Sequence, residues 1–287
     1  MKHPFFGLLC LFAVAACTDT AERIPAYVRI EPFTVNADGG AAWQKITEGW
    51  IYVDNELIGG YTLPATVPVL AEGQSSVLIF PGVRENGLTQ TPSVYPLMTR
   101  YETQATFTPA ETTTLTPSTA YSPNVIFPWT LAKSSFDNSS IVLENRDADT
   151  ATTFAFTTEG AFSGRSLKLA VEEAHPLLEM ATEKVSGLPG TDERPVWLEM
   201  NYRCDMPFQV WLLGQTGASN EVSQAIYQFV PSAEWNKIYL NLTSFLITLK
   251  QEDYRLFFRC TLPKDASGKY TQPTGTVMLD NVRLIYY

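Results

Sequence analysis

Three features of this 287-residue chain predict an all-β fold built as two successive units. Charged residues fill only 17% of the positions and hydrophobic ones 45%, a balance that suits half-buried strands better than surface helices and allows a substantial core. Thr, Ser, Tyr, Phe and Trp recur in short runs of strand-like composition. Pro, Gly, Asn and Asp punctuate those runs at regular spacing, the pattern of a sandwich or a barrel.

The chain opens on Lys2, continues through an apolar stretch from Phe5 to Ala16, and ends that stretch in Val14-Ala15-Ala16-Cys17. The stretch is too short to span a bilayer and reads as a secretory leader over residues 1–16. Its end resembles the bacterial lipobox, in which cleavage precedes the cysteine and acyl chains are added to the thiol and the new amine. The resemblance implies cleavage after Ala16, lipidation of Cys17, membrane lipid as the first partner, and attachment to the outer membrane. Acyl chains contribute about 0.8 kcal/mol per buried CH₂, so several of them hold a folded domain without a transmembrane helix. Residues 17–25 lack apolar periodicity and serve as a tether. Thr18-Asp19-Thr20 has no Asp directly after the cysteine, which argues against inner-membrane retention and leaves the surface-facing side favoured over the periplasmic one.

The formal charge is −10, and loss of residues 1–16 removes one lysine and no acid to leave −11. Such a chain is unsuited to nucleic acid, and anionic headgroups repel it, so neutral ligands or protein partners fit better.

Residues 26–121 read as a small sandwich. Alternation starts at Ala26-Tyr27-Val28-Arg29-Ile30, and Gly49-Trp50-Ile51-Tyr52-Val53 turns through Asp54-Asn55 into Glu56-Leu57-Ile58 as a hairpin. Two prolines make residues 62–70 an extended edge, and Ser75-Ser76-Val77-Leu78-Ile79-Phe80 is a strand expected to stop at Pro81-Gly82. The hairpin, followed by Pro64 and Glu72-Gly73, resembles PEGA-type repeats, which implies an immunoglobulin-like sandwich.

Ser122-Pro123-Asn124 marks the boundary, and residues 122–287 form the second unit. Its strands are expected at residues 160–169, 196–204, 208–213, 235–242, 254–262 and 276–286. Gly164-Arg165-Ser166-Leu167-Lys168-Leu169, a central strand around Trp235 and the terminal Leu279-Asp280-Asn281-Val282 resemble the galactose-binding-like jelly rolls of many carbohydrate-binding modules. Some members of that group hold a structural calcium, which makes Asp280 a candidate ligand, although Asp280-Asn281 reads equally well as a turn pair. The whole chain resembles the outer-membrane lipoproteins of Bacteroidota. Asp19-Thr20-Ala21 and Asp149-Thr150-Ala151 resemble their O-glycosylation sequon, which implies Thr20 and Thr150 as acceptors; coincidence explains such tripeptides as well.

Catalytic chemistry finds little support. With the leader gone, His175 is the one histidine, no Gly-x-Ser-x-Gly elbow is present, and His175, Cys204 and Cys260 lack metal-ligand spacing, so no metal or cofactor is expected. Glu172-Glu173 are adjacent acids that a strand would point to opposite faces. Cys204 and Cys260 are candidates for a disulfide in an exported protein, or two buried thiols. Trp197, Trp211 and Trp235 are the candidates for stacking on a sugar ring, with Tyr202, Tyr227 and Tyr270 beside them, each with core packing as the alternative. The expectation is a non-enzymatic lipid-anchored scaffold or binding subunit of an envelope complex with an outer-membrane protein partner. The alternatives are a surface glycan-binding lipoprotein and a glycoside hydrolase or its accessory.

Overall fold

A computed structural model describes residues 22–36, 43–190 and 194–287, so Ala16, Cys17 and Thr20 lie outside the described residues. The described chain is all-β, with two short helices. The first unit contains β1 (Ala26–Ile30), β2 (Thr34–Val35), β3 (Glu48–Val53), β4 (Glu56–Thr62), β5 (Ala65–Val69), β6 (Gly73–Arg84), β7 (Pro92–Val94), β8 (Tyr101–Phe107), β9 (Thr112–Leu115) and β10 (Ser118–Thr119). Strict alternation in β1 turns Ala26, Val28 and Ile30 inward. At the β3–β4 turn Asp54 and Asn55 have φ of 49° and 68°, the conformation a two-residue hairpin requires and these residue types tolerate. The sheet β5-β1-β9 faces the sheet β4-β3-β6, whose far edge is completed by β7 and β8. Between them lie Val28, Ile30, Val67, Ile51, Ile79 and Phe107.

The expected stop at Pro81-Gly82 does not occur, because β6 runs on to Arg84. Pairing with β8 ends at Ile79 and pairing with β7 begins at Gly82, so Pro81 falls where one neighbour gives way to the next and no ladder donor is lost.

The second unit contains α1 (Leu131–Ser134), β11 (Leu143–Asn145), β12 (Phe154–Thr157), β13 (Ser166–Glu172), β14 (Leu177–Thr182), β15 (Val185–Ser186), β16 (Val196–Cys204), β17 (Phe208–Gln215), β18 (Val222–Phe229), β19 (Ser232–Asn241), α2 (Thr243–Leu249), β20 (Asp253–Thr261) and β21 (Thr274–Tyr286). The antiparallel sheets β11-β14-β20-β17-β18 and β12-β13-β21-β16-β19 close over one core in a jelly roll. Three expectations are corrected. The first firm strand starts at Ser166 rather than at 160, since Gly160 and Gly164 adopt left-handed φ of 63° and 48° in the preceding loop. At Gly164 an added Cβ would collide with the Asp137 carboxylate. The Trp235 strand is an edge, not a centre. Asp280-Asn281 is no turn: both residues are buried inside β21, where Asn281 at φ 49° makes a bulge and the register against β16 shifts between Glu199 and Asn201.

The two units are joined by more than a peptide. Trp197, Tyr239 and Ile285 project from the outer face of β16, β19 and β21 into the core of the first unit. The Tyr95 ring meets Trp197 and Tyr239 edge-on at 5.2 and 5.1 Å. Tyr239 accepts a hydrogen bond from the Lys45 amide at 2.8 Å, donates to Gln44 at 3.0 Å, and lends its carbonyl to the Asn86 amide at 2.9 Å. Within this seam Glu199 is wholly buried and ion-paired to Lys237 at 2.8 Å. It accepts hydrogen bonds from the hydroxyls of Tyr95 at 2.5 Å and Tyr121 at 2.9 Å. Burial pushes the Glu199 carboxyl up, but Lys237 and Arg283 outweigh it and hold the group below the usual carboxylate range. Burial likewise depresses Lys237.

Removing one member of such a pair strands the other charge in a dry interior, at a cost of about 3–5 kcal/mol. Lys237→Ala is expected to lower the unfolding free energy by about that amount in urea denaturation. A cost for Lys237→Ala below about 1 kcal/mol would contradict the assigned role of the pair.

Candidate ligand-binding face

The first unit covers part of one of the jelly roll's two outer faces; the other, on β14, β20, β17 and β18, packs on no described residue of the first unit. Alternation builds this second face. In β17, Val210 and Leu212 enter the core, so Gln209, Trp211 and Leu213 point out. In β20, Leu256 and Phe258 enter the core, leaving Arg255, Phe257 and Arg259 outside. In β14, Leu178 and Met180 do the same for Glu179 and Ala181.

Register then sorts the outward residues into two rows that cross the strands. Ala225, Trp211, Phe257 and Ala181 are successive cross-strand partners, and so are Gln228, Gln209, Arg259 and Glu179. With neighbouring strands about 4.8 Å apart, each row of four spans roughly 14 Å. An apolar row thus lies beside a polar one. The polar row is internally bonded: Gln209 donates to Gln228 at 3.3 Å and accepts from the Trp211 indole N–H at 3.1 Å. Arg259 pairs with Glu179 at 2.6 Å while its guanidinium lies over the rings of Trp211 at 5.2 Å and Phe257 at 5.7 Å.

A groove of about 480 Å³ follows these rows, lined by Arg146, Glu179, Trp211, Glu221, Phe257 and Arg259. Glu179 and Arg259 also line a second groove of about 580 Å³ that continues to Thr261, Lys264 and Tyr270. Guanidinium and carboxylate groups are matched along the face: Arg146 with Glu221 at 2.8 Å, Arg255 with Glu144 at 3.0 Å, Arg259 with Glu179. An acidic chain therefore presents a charge-balanced surface here, suited to an uncharged ligand.

Of the three candidate tryptophans only Trp211 belongs to this face. Trp197 is 2% exposed and sits in the seam between the units, which removes it as a stacking residue. Trp235 lies on the other sheet, where its indole N–H donates to the Gly160 carbonyl at 3.1 Å and its ring is flanked by Phe162 and Arg203. Tyr202 and Tyr227 close edge-on over Phe229 and pack against the core. Tyr270, with Lys264 4.5 Å from its ring centre, stands at the end of the second groove. Phe257, Arg259, Gln209 and Glu179 escaped the sequence reading; the signal for Phe257 and Arg259 was the alternation of Leu256-Phe257-Phe258-Arg259-Cys260, which is legible only once the inward face is known.

The other candidates disperse. Cys204 and Cys260 are buried free thiols, not a disulfide. They belong to opposite sheets, and the Cys204 thiol donates to the Val230 carbonyl at 3.4 Å. Burial pushes the Cys260 thiol far up, which suppresses its thiolate. His175 pairs with Asp149 at 2.7 Å on the surface, and that contact raises the imidazole and lowers the carboxyl. Glu172 and Glu173 are both exposed at the turn that follows β13. Thr150 is exposed at a loop tip formed as Asp149 accepts from the Ala151 amide at 2.9 Å. Asp280 is wholly buried and accepts from the Ser166 hydroxyl and the Asn281 amide, each at 2.7 Å. Among the described residues no three His, Cys, Asp or Glu side chains gather in a metal-holding group.

No family model matches the chain, and no curated protein does. Among solved structures, it is similar to the enzymatically active domain of tailspike protein 4 of bacteriophage CBA120, with 14% identity and a TM-score of 0.40 over 57% of this chain but only 22% of that one. It is also similar to the family 11 carbohydrate-binding module of a Clostridium thermocellum cellulosomal cellulase, with 10% identity and a TM-score of 0.35 over 52% of this chain and 90% of the other. The CBM22-2 xylan-binding domain from Paenibacillus barcinonensis gives 13% identity and a TM-score of 0.37 over 54% and 98%. Likenesses of this degree do not assign a ligand.

Burial pushes the Asp280 carboxyl up from 3.8 to about 7. A group whose folded pKa is raised contributes stability that is complete below the unfolded pKa and is lost as pH climbs through the folded one. The wild-type protein should therefore lose stability between about pH 4 and 7 relative to Asp280→Asn. Urea midpoints of both proteins at pH 4.5, 6 and 8 check this; parallel pH curves would contradict it.

Proposed function

We propose that this protein is a non-catalytic, lipid-anchored glycan-binding protein of the bacterial outer membrane, in which the β14-β20-β17-β18 face takes a neutral polysaccharide. The observation that carries the reading is the pairing of an apolar row containing Trp211 with a bonded polar row containing Gln209, Arg259 and Glu179. Sugars have a C–H face that lies against aromatic rings and a rim of hydroxyls that needs both donors and acceptors. The two rows supply both, side by side. Matched charges favour an uncharged chain, and arginine pairing of the face's carboxylates suits recognition better than proton transfer. In this reading Cys17 supplies the anchor, the first unit is the spacer that carries the scaffold role, and the grooved face is displayed at the cell surface.

The test uses detergent-solubilised full-length protein against immobilised neutral and anionic polysaccharides. Neutral chains should be retained, and Trp211→Ala should weaken binding at least tenfold, about 1.4 kcal/mol, with an unchanged thermal midpoint. Failure to retain any neutral polysaccharide, or undiminished binding by a folded Trp211→Ala protein, would overturn the reading.

A further inference from the structure

We propose that the end of the first unit opposite the seam rests on the lipid surface, with Ile24, Leu70 and Pro109 as its contact. The proposal depends on the anchoring of Cys17. Ile24 and Leu70 are 65% and 63% exposed, and what sets them apart from other exposed aliphatic side chains is that they lie together. They are neighbours, lining a shallow depression with Arg23, Ala71, Glu72 and Pro109. Pairing of Ala26 with Val69 sets both just beyond the same strand end, and the Ala110 amide donates to the Pro25 carbonyl at 2.9 Å to hold the adjoining turn in place.

Chain length decides what this patch meets. From Cys17 to Ile24 there are seven steps of at most about 3.6 Å, so the patch stays within roughly 25 Å of the acylated residue. The seam is out of reach. β6 starts at this end with Gly73 opposite Phe107 and finishes at Arg84, next to the Asn86 that bonds Tyr239. Its 12 residues cover roughly 40 Å. An anchored molecule therefore turns the Ile24–Leu70 end to the bilayer, where apolar side chains find the boundary between headgroups and acyl chains. Glu22, Glu72 and Glu111 outnumber Arg23 at this end, which selects zwitterionic over anionic headgroups.

The experiment places a nitroxide at Leu70→Cys in the full-length protein, reconstituted in phosphatidylcholine vesicles, and compares its accessibility to oxygen and to a nickel chelate with a label at Gln224→Cys. Cys204 and Cys260 are 3% and 0% exposed and stay unlabelled. The label at position 70 should favour oxygen over the chelate several-fold more than the label at 224, and Ile24→Cys should repeat the result. Equal accessibility at 70 and 224 in protein that floats with the vesicles overturns the contact and leaves the anchor standing. Protein that does not float removes the anchor and the contact together.

Discussion

The Glu199 carboxylate sits at the centre of the seam, bonded by the Tyr95 and Tyr121 hydroxyls and paired with Lys237. A charge in such a place is tolerable only while its partners stay fixed, because the interior offers no water to replace a lost contact. Those partners come from both units. Lys237 belongs to the second, Tyr95 to the first, and Tyr121, the last residue of the first, also accepts from Gln44 at 2.7 Å and from Arg283 at 3.2 Å. The relative placement of the units is therefore specified by hydrogen-bond geometry as well as by apolar contact. It also explains why β16 is buried on both sides, with core on one face and seam on the other.

Occupation of one sheet determines where recognition can happen. The first unit takes up the part of β16, β19 and β21 around Trp197, Tyr239 and Ile285, and the opposite sheet carries a broad face with aromatic and polar groups in register. The arrangement of that face needs no special backbone. Ordinary alternation lifts Trp211 and Phe257 outward, and antiparallel pairing aligns them with Ala225 and Ala181. Gln209 and Glu179 hold the indole N–H and the Arg259 guanidinium in place, so the side chains of the two rows are already ordered.

Much of the framework was legible because it rests on local chemistry. Alternation in residues 26–30, the Asp54-Asn55 turn and the edge prolines of β5 each act over a few residues, and each element formed where expected. What was misread depends on neighbours distant in sequence. Leu177-Leu178-Glu179-Met180-Ala181, assigned to no element from the sequence, has helix-favouring residues yet forms β14, since it fills the space between β11 and β20. Asp280-Asn281 carries the composition of a turn, and only the Ser166 hydroxyl and the shift of register opposite β16 keep it within a strand. Trp197 and Trp211 occupy similar apolar runs, and their different fates follow from which sheet the first unit covers. The same limit hid Phe257 and Arg259, since the outward face of a strand has meaning only after its inward face is known.

Tyr239 illustrates what the seam means for the chain as a set of parts. Its hydroxyl and its carbonyl both engage the first unit, and its ring lies against Tyr95. Cutting the chain near Ser122 would follow a boundary of topology and cross none of energy: the jelly roll so released would expose Trp197, Tyr239 and Ile285, and Glu199 would lose two of its donors. The jelly roll is therefore not an interchangeable module, and recombination that moved it to another protein would have to move its companion as well.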